Sequence, residues 1–289
     1  MRAYLPSFAM RRARSVDEAL DLLAHPSAAW RPFAGGTDLM VQLAAGALRH
    51  HQFVSLWGID DLRRIDVRDD AVGVGAPVTF TDIQRSDPLR TEFPLLARAA
   101  LEIGGVANQN RATIGGNIAN ASPAADAPPA LVMYDAEVEL ASVRGRRRVP
   151  YATFHTGYKT MDLAGDELIA GIWLPRRDGV WVQDYRKVGA RRAQAIAKVC
   201  FAGAARIENG QIADLRLAFG SVAPTVVRAS RAETIARTND LTPSGVDRAI
   251  AALRTDLSPI DDIRSTARYR ARVAENLLRD FLLKVEGSR

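Results

Sequence analysis

A single cysteine, Cys200, stands in a sequence of 289 residues. One thiol excludes an internal disulfide, and it excludes any zinc site or iron–sulfur cluster held by several cysteines of this chain. Histidine is nearly as scarce. His25, His50, His51 and His155 show no metal-ligand spacing, so no protein-held metal is expected. Of 39 basic residues only four are lysines, Lys159, Lys187, Lys198 and Lys284, an arginine bias that reflects genome composition more than function. No apolar run approaches the roughly 18 residues of a membrane span, and Met1–Met10 is too short and mixed for a signal peptide. A cytoplasmic protein with no membrane span is expected.

Familiar catalytic signatures are missing as well. Neither a P-loop, a G-x-G-x-x-G fingerprint, a nucleophile elbow nor a His-Glu-x-x-His zinc motif occurs. No isolated acid–base pair stands out either. Such a chain is expected to hold a cofactor that carries the chemistry. The hydrophobic fraction of 47% and charged fraction of 25% are those of an ordinary soluble globular protein, long enough for two or three domains. Net charge is +6. The densest basic run, Arg144-Gly145-Arg146-Arg147-Arg148, reads as a solvated hairpin connection, and the remaining charge is too evenly spread for nucleic-acid binding.

What is present is a pair of double-glycine stretches about 80 residues apart, Ala34-Gly35-Gly36-Thr37-Asp38 and Thr113-Ile114-Gly115-Gly116-Asn117. Glycine lets bare backbone approach a ligand, and successive N–H groups on such loops hold phosphate oxygens. Two of them suggest one ligand with two phosphates, gripped from two sides. Thr37 and Asp38 read equally as helix N-caps and as ligand contacts. Asn117 reads as a residue tolerant of left-handed backbone. Asp126 lies in a proline-rich loop, where polar residues carry function more often than in a core, a solvated turn being the alternative. Cys200 alternates with apolar neighbours as a core residue does.

Local signals predict the elements around these stretches. Ser15-Val16-Asp17-Glu18 is a capping box that starts a helix. Phe33-Ala34 reads as a short strand ending at the first glycine stretch, with a helix from Asp38 to near Gly46. Hairpins are predicted at Asp69-Asp70 and Asn209-Gly210, and helices over Phe80–Arg85 and Leu95–Ile103. Strands are expected at Ala136–Leu140, Arg147–Pro150 and Glu167–Leu174. The remainder predicts an antiparallel sheet followed by helices near Arg231–Arg237, after Thr242-Pro243, and a long one to about Val285. Pro175–Gly179 reads as a linker.

Several stretches in order resemble one known family. Ala34–Leu39, Arg111–Asp126, Phe154–Tyr158, Asp166–Ile169, Tyr185-Arg186-Lys187 and Ser265–Arg270 are similar to the FAD-binding subunit of the molybdenum hydroxylases. That group comprises xanthine dehydrogenase, carbon monoxide dehydrogenase and aromatic hydroxylases. The resemblance implies an α+β chain: two α/β subdomains of the PCMH-type FAD-binding fold (residues 1–55 and 56–177), then a C-terminal antiparallel sheet with a helical layer (178–289). It implies that Pro32, Phe33, Ala34, Gly35, Gly36, Thr37, Asp38 and Leu39, with Thr113, Ile114, Gly115, Gly116 and Asn117, wrap the FAD pyrophosphate. By the same resemblance Asp126 hydrogen-bonds the cofactor, Ile103 and Ile169 pack on it, and Lys187 lies near the flavin ring, where a cation favours the reduced, anionic form. Tyr185 is expected to shield or gate one ring face. One departure occurs at Ala107-Asn108-Gln109, where relatives often carry Gln, an aliphatic residue and Arg.

The resemblance also implies partners: a large subunit with the molybdenum cofactor, which oxidises the substrate, and a small subunit with two 2Fe-2S clusters, assembled as a dimer of heterotrimers. This chain then contains no hydroxylation site. It delivers electrons to an external acceptor. The 4Fe-4S cluster that some relatives insert in this subunit is excluded by the single cysteine. A rival reading is a self-sufficient flavin oxidase of the same superfamily with FAD tethered through His or Cys, although neither residue occurs in either glycine stretch.

Overall fold

The computed structural model describes residues 7–25, 29–238 and 241–288. Residues 1–6 of the segment weighed as a leader lie outside them. The first unit runs β1 (Ala9–Arg12), α1 (Val16–Ala24), β2 (Arg31–Phe33), α2 (Thr37–Ala44) and β3 (Gln52–Ser55). Its three strands pair in parallel, with β3 central. Parallel neighbours need crossovers, and α1 and α2 supply them. Ser15 Oγ caps α1 by accepting from Glu18 N–H at 3.1 Å. The Glu18 carboxylate reaches past the expected box partner and accepts from the Arg14 N–H at 2.8 Å.

The second unit contains β4 (Ile65–Val67), β5 (Ala71–Gly75), the helices α3 (Phe80–Arg85), α4 (Asp87–Glu92), α5 (Pro94–Glu102), α6 (Val106–Gln109), α7 (Ile114–Ala119) and α8 (Pro128–Met133), then β6 (Glu137–Ser142), β7 (Gly145–Pro150), α9 (Tyr151–Phe154) and β8 (Leu168–Pro175). Its strands pair antiparallel in the order β4-β5-β8-β6-β7. The helices cover one face, where Val72, Val74, Val138, Ile169 and Ile172 join Phe80, Phe93 and Ile114 in the largest core cluster. Leu168, Ala170 and Ala141 belong instead to a cluster with α1 residues Ala19, Leu20 and Leu23, so the first unit closes its core against the second.

Antiparallel β9 (Trp181–Val188), β10 (Val199–Glu208), β11 (Gln211–Gly220) and β12 (Val227–Arg228) form the third sheet, followed by α10 (Ser230–Thr238), α11 (Pro243–Asp256) and α12 (Ala267–Glu286). Side chains of β10 alternate between two cores, as strand periodicity requires. Val199, Phe201 and Ala205 meet the helices, where the Phe201 ring lies 4.9 Å from Phe219 and 5.5 Å from Phe281. Cys200, Ala202 and Ala204 face the second unit's core. The Asn209-Gly210 turn has both residues at positive φ, 52° and 73°, the conformation that a two-residue hairpin demands.

Two further expectations change in detail. The second glycine stretch is the first turn of a helix, α7, capped by Thr113, and no loop. Three arginines of the basic run, Arg146, Arg147 and Arg148, lie on the edge strand β7, while the turn precedes them. They pair with carboxylates: Arg146 with Glu139, and Arg147 with Glu167 at 2.7 Å and Asp162 at 2.9 Å. Charge paired along an edge strand guards it against pairing with another chain.

Candidate functional site

The two glycine elements meet directly. A Cβ on Gly35 would overlap the Arg111 carbonyl oxygen, so the chain just before α7 is packed onto the first stretch. Gly36 serves a different need: it caps α2 at φ +76°, where a side chain is strained and would also press on the Phe33 ring at 2.6 Å. The N-cap alternative for Thr37 and Asp38 is thereby settled, since both lie inside the helix; Asp38 Oδ2 accepts from Gln42 Nε2 at 2.6 Å. Among the described residues no acceptor takes the N–H groups of Thr37, Asp38 or Leu39. Those donors, with the partial positive charge of a helix start, suit an anion.

α7 is built differently. The Ile114 N–H donates to Val78 O at 3.0 Å, Gly115 to Ala76 O at 2.9 Å, Gly116 to Thr113 Oγ1 at 3.1 Å and Asn117 to Thr113 O at 2.9 Å. Of the N–H groups expected to cradle phosphate here, these four already have acceptors inside the chain. The reason for Gly115 is packing, because a Cβ there would collide with Ala76. Gly116 is exposed, and a Cβ on it would meet only Thr113 Oγ1, at 3.0 Å. Its bare surface is the part of the second stretch open to a ligand.

The loop between α7 and α8 anchors a buried polar chain. Lys187 Nζ donates to Asp126 Oδ2 and to the Glu102 carbonyl, both at 2.7 Å. The lysine and aspartate side chains are 4% and 11% exposed. Tyr185, two residues earlier on β9, donates its hydroxyl to the Asp126 carbonyl at 2.9 Å, and the Cys200 thiol donates to that hydroxyl at 3.1 Å. Tyr185 is 4% exposed and holds the Asp126 loop through that hydroxyl bond. Burial pushes the Tyr185 hydroxyl and Cys200 thiol well above their ordinary ranges.

Two acceptors are left over. Asp126 Oδ1 and Asn117 Oδ1 are buried with no partner among the described residues. Orphaned buried oxygens are costly, and they mark where a ligand's donors fit. Burial raises the Asp126 carboxyl from 3.8 to about 6, against the lowering effect of the Lys187 ammonium. The folded state thus binds this proton more tightly than the unfolded chain does. Its stabilising contribution is complete below the ordinary 3.8 and is lost as pH rises through about 6. In flavin-free protein, the stability of the wild type relative to Asp126→Asn is expected to fall as pH rises from about 4 to about 7. A difference that stays flat across that range in urea denaturation contradicts the assignment.

Ile103 and Ile169 are placed in the main core, 8% and 5% exposed, Ile103 directly following α5 and Ile169 at the start of β8. Pro32, Phe33 and Ala34 lead from β2 into the first stretch, Pro32 exposed and its two successors partly so. The departure at Ala107-Asn108-Gln109 is accommodated. Gln109 is buried, and its Nε2 donates to the carbonyls of Leu101 at 3.1 Å and Ile103 at 3.0 Å, closing the end of α5. Contacts that no local signal announced also border the site. The Arg111 guanidinium lies 4.3 Å over the Trp57 ring, and Lys159 reaches Asn120 from 39 residues away.

Comparison with known proteins agrees with this geometry. The family described as "FAD binding domain in molybdopterin dehydrogenase" matches residues 6–177, and "CO dehydrogenase flavoprotein C-terminal domain" matches residues 184–285. This chain belongs to the FAD-binding, or medium, subunits of the molybdenum hydroxylases. The xanthine dehydrogenase FAD-binding subunit of Escherichia coli O157:H7 is 32% identical over 274 residues, covering 94% of this chain and 93% of that protein. Carbon monoxide dehydrogenase of Hydrogenophaga pseudoflava, in a form lacking the Mo-pyranopterin moiety, superposes with a TM-score of 0.91 at 28% identity, covering 96% of each chain. Quinoline 2-oxidoreductase of Pseudomonas putida 86 gives 0.90 at 25% identity over 99% of each. The flavin subunit is therefore part of an oxidoreductase, with an FAD-binding fold of mixed α/β architecture.

Proposed function

We propose that this flavin subunit is the electron exit of a molybdenum hydroxylase, receiving electrons from 2Fe-2S clusters of a small partner subunit while a large partner oxidises the substrate at a molybdenum cofactor. FAD, when bound, accepts those electrons and passes them to an external acceptor. The observation that carries the reading is the presence of both kinds of unused group: N–H donors with no acceptor at the start of α2, and buried, partnerless oxygens on Asp126 and Asn117. A dinucleotide with an anionic pyrophosphate and several hydroxyl donors needs both kinds.

Residues Pro32 to Leu39 and Thr113 to Asn117 hold the pyrophosphate in this reading, the first stretch by its N–H groups and the second by the exposed surface of Gly116. Asp126 accepts from the cofactor, Ile103 and Ile169 bound it with apolar surface, and Lys187 fixes the carboxylate and supplies positive charge beside it. Tyr185 supports that pair from behind. We place the subunit's three domains at 1–55, 56–177 and 178–289, and the complex, a dimer of heterotrimers, in the cytoplasm. Among the described residues no helix is long and apolar enough to cross a membrane, and no group of His, Cys, Asp or Glu could hold a metal ion.

Two groups that the tethered-oxidase alternative could use are occupied or buried. Cys200 is fully buried, and both ring nitrogens of His155 are engaged, Nε2 with the Ile118 carbonyl at 2.9 Å and Nδ1 with the Tyr151 hydroxyl at 3.3 Å. Purification of the tagged chain from its source is expected to bring down two further polypeptides, one carrying molybdenum and one carrying 2Fe-2S clusters. Acid precipitation is expected to release the flavin into solution. A lone chain with flavin retained in the precipitate contradicts the reading.

A further inference from the structure

The C-terminal stretch Ser265–Arg270 has no role in the reading so far, yet it delivers a buried cation. Arg270 is 3% exposed and stands at the start of α12, where a helix's partial positive charge disfavours a guanidinium. Its partners explain its place. Nη1 donates to the Lys198 carbonyl at 2.7 Å and to the Ser221 carbonyl at 3.1 Å. Nη2 donates to Asp262 Oδ1 at 2.7 Å, and the same oxygen accepts from the Arg264 and Ser265 N–H groups at 2.8 and 3.0 Å. Nε is buried with no partner among the described residues, a cost that the other bonds of the guanidinium must offset.

The two carbonyls belong to segments that carry the Asp126 loop. Lys198 leads into β10 and to Cys200, whose thiol reaches Tyr185. Ser221 follows β11 directly. Its N–H donates to the Pro123 carbonyl at 2.8 Å and its Oγ to the Ala197 carbonyl at 3.0 Å. Beside it, a Cβ on Gly220 would lie 3.4 Å from the Pro123 oxygen, from Pro129 and from Cys200. Pro123 and Pro129 flank Asp126, so the loop that presents this carboxylate rests on the end of β11. Ser221 itself is left-handed, at φ +66°. A residue with a Cβ keeps such strain only where its surroundings hold it, and here the guanidinium grips its carbonyl.

We propose that Arg270 is a positioning residue for the cofactor: it locks Ser221 and Lys198 together and thereby fixes where the Asp126 loop presents its carboxylate to FAD. The proposal rests on the FAD-binding reading above. An arginine suits the task because its planar fork spreads donors over two carbonyls and a carboxylate, where an ammonium is a point charge.

The test is fluorescence titration of the flavin-stripped full chain with FAD, beside thermal melts of the flavin-free form. Arg270→Met is expected to bind FAD about tenfold more weakly, the order of one charged hydrogen bond. In an Asp126→Asn background the same change should cost less than about twofold, because it acts through that carboxylate. Ser221→Gly separates positioning from folding. Glycine takes φ +66° without strain, which offsets the lost Oγ bond, so the flavin-free midpoint should stay level with the wild type. FAD binding should still weaken about threefold, since the turn is no longer stiff. Wild-type uptake of FAD with either Arg270→Met or Ser221→Gly within about twofold of it overturns the positioning role alone. Losses for Arg270→Met and Asp126→Asn that add in full also overturn it, in favour of a general structural role. Should Arg270→Met not fold, Ser221→Gly decides by itself. Failure of the unaltered chain to take up FAD overturns the functional reading and this one together.

Discussion

Replacing Lys187 by methionine is expected to cost about 3–5 kcal/mol of unfolding free energy at pH 8, because it strands a buried carboxylate. The Asp126–Lys187 pair at 2.7 Å joins three segments: the loop before α8, the strand β9, and the end of α5 through the Glu102 carbonyl. Asp126 Oδ1 already has no partner, so without the ammonium the whole carboxylate is left to its backbone surroundings. The carboxyl then escapes by taking up a proton. Its titration, already pushed up to about 6, moves higher still, and the loss shrinks below pH 6 where the wild-type group is itself protonated. An apolar partner change, Lys187→Met with Asp126→Leu, should recover most of the stability, since exchanging both members of a buried pair is often neutral. FAD binding should not return with it. Urea denaturation of the flavin-free chain at pH 5 and pH 8 checks this. A loss below about 1 kcal/mol at pH 8 would mean that the pair is not sealed from water as the structure shows.

The second large effect separates the glycines by what each one does. Gly35→Ala drives a methyl group into the Arg111 carbonyl, backbone against backbone, with no flexible side chain to yield. Overpacking of that kind costs about 1–3 kcal/mol or more, and it forces the two glycine elements apart. FAD affinity is expected to fall at least a hundredfold. The Cβ added by Gly116→Val meets only Thr113 Oγ1, at 3.0 Å, on an exposed surface, so the fold should lose no more than about 1 kcal/mol, the value of a disturbed cap. Its affinity for FAD should nevertheless collapse, because the new side chain fills the surface open to the ligand. Fluorescence titration beside thermal melts distinguishes the two. If Gly116→Val binds FAD as the wild type does, α7 does not face the cofactor.

Much of this architecture was legible locally. Ser15 announced α1, Asp69-Asp70 and Asn209-Gly210 announced their hairpins, and the apolar spacing of Leu277, Leu278 and Phe281 announced α12. These signals work because cap, turn and stripe each depend on residues a few positions apart. The short helices α4, α6, α8 and α9 gave no such signal, and β9 was hidden because its side chains are half-buried and mixed in polarity. The second glycine stretch read as a loop since glycine disfavours helix; tertiary bonds to Ala76 and Val78 hold α7 in place.

The site was legible as a set of residues and illegible as an arrangement. Lys187 and Asp126 are 61 positions apart, and nothing near either one says that they touch. The same holds for Gly35 and Arg111, whose contact explains a glycine that looked like a ligand's requirement. Tyr185 gave no sign in the sequence of its hydroxyl bond to the Asp126 carbonyl, 59 positions away. Lys159 stood out only as a rare lysine. Its contact with the Asn120 carbonyl, 39 positions away, follows from no local pattern.

The most direct measurement is titration of flavin-stripped chain with FAD, read by flavin absorbance and by quenching of flavin fluorescence. The account predicts saturation at one FAD per chain, a stable yellow protein after gel filtration, and free FAD in the supernatant after acid precipitation. A chain that stays colourless and leaves FAD fluorescence unchanged contradicts it.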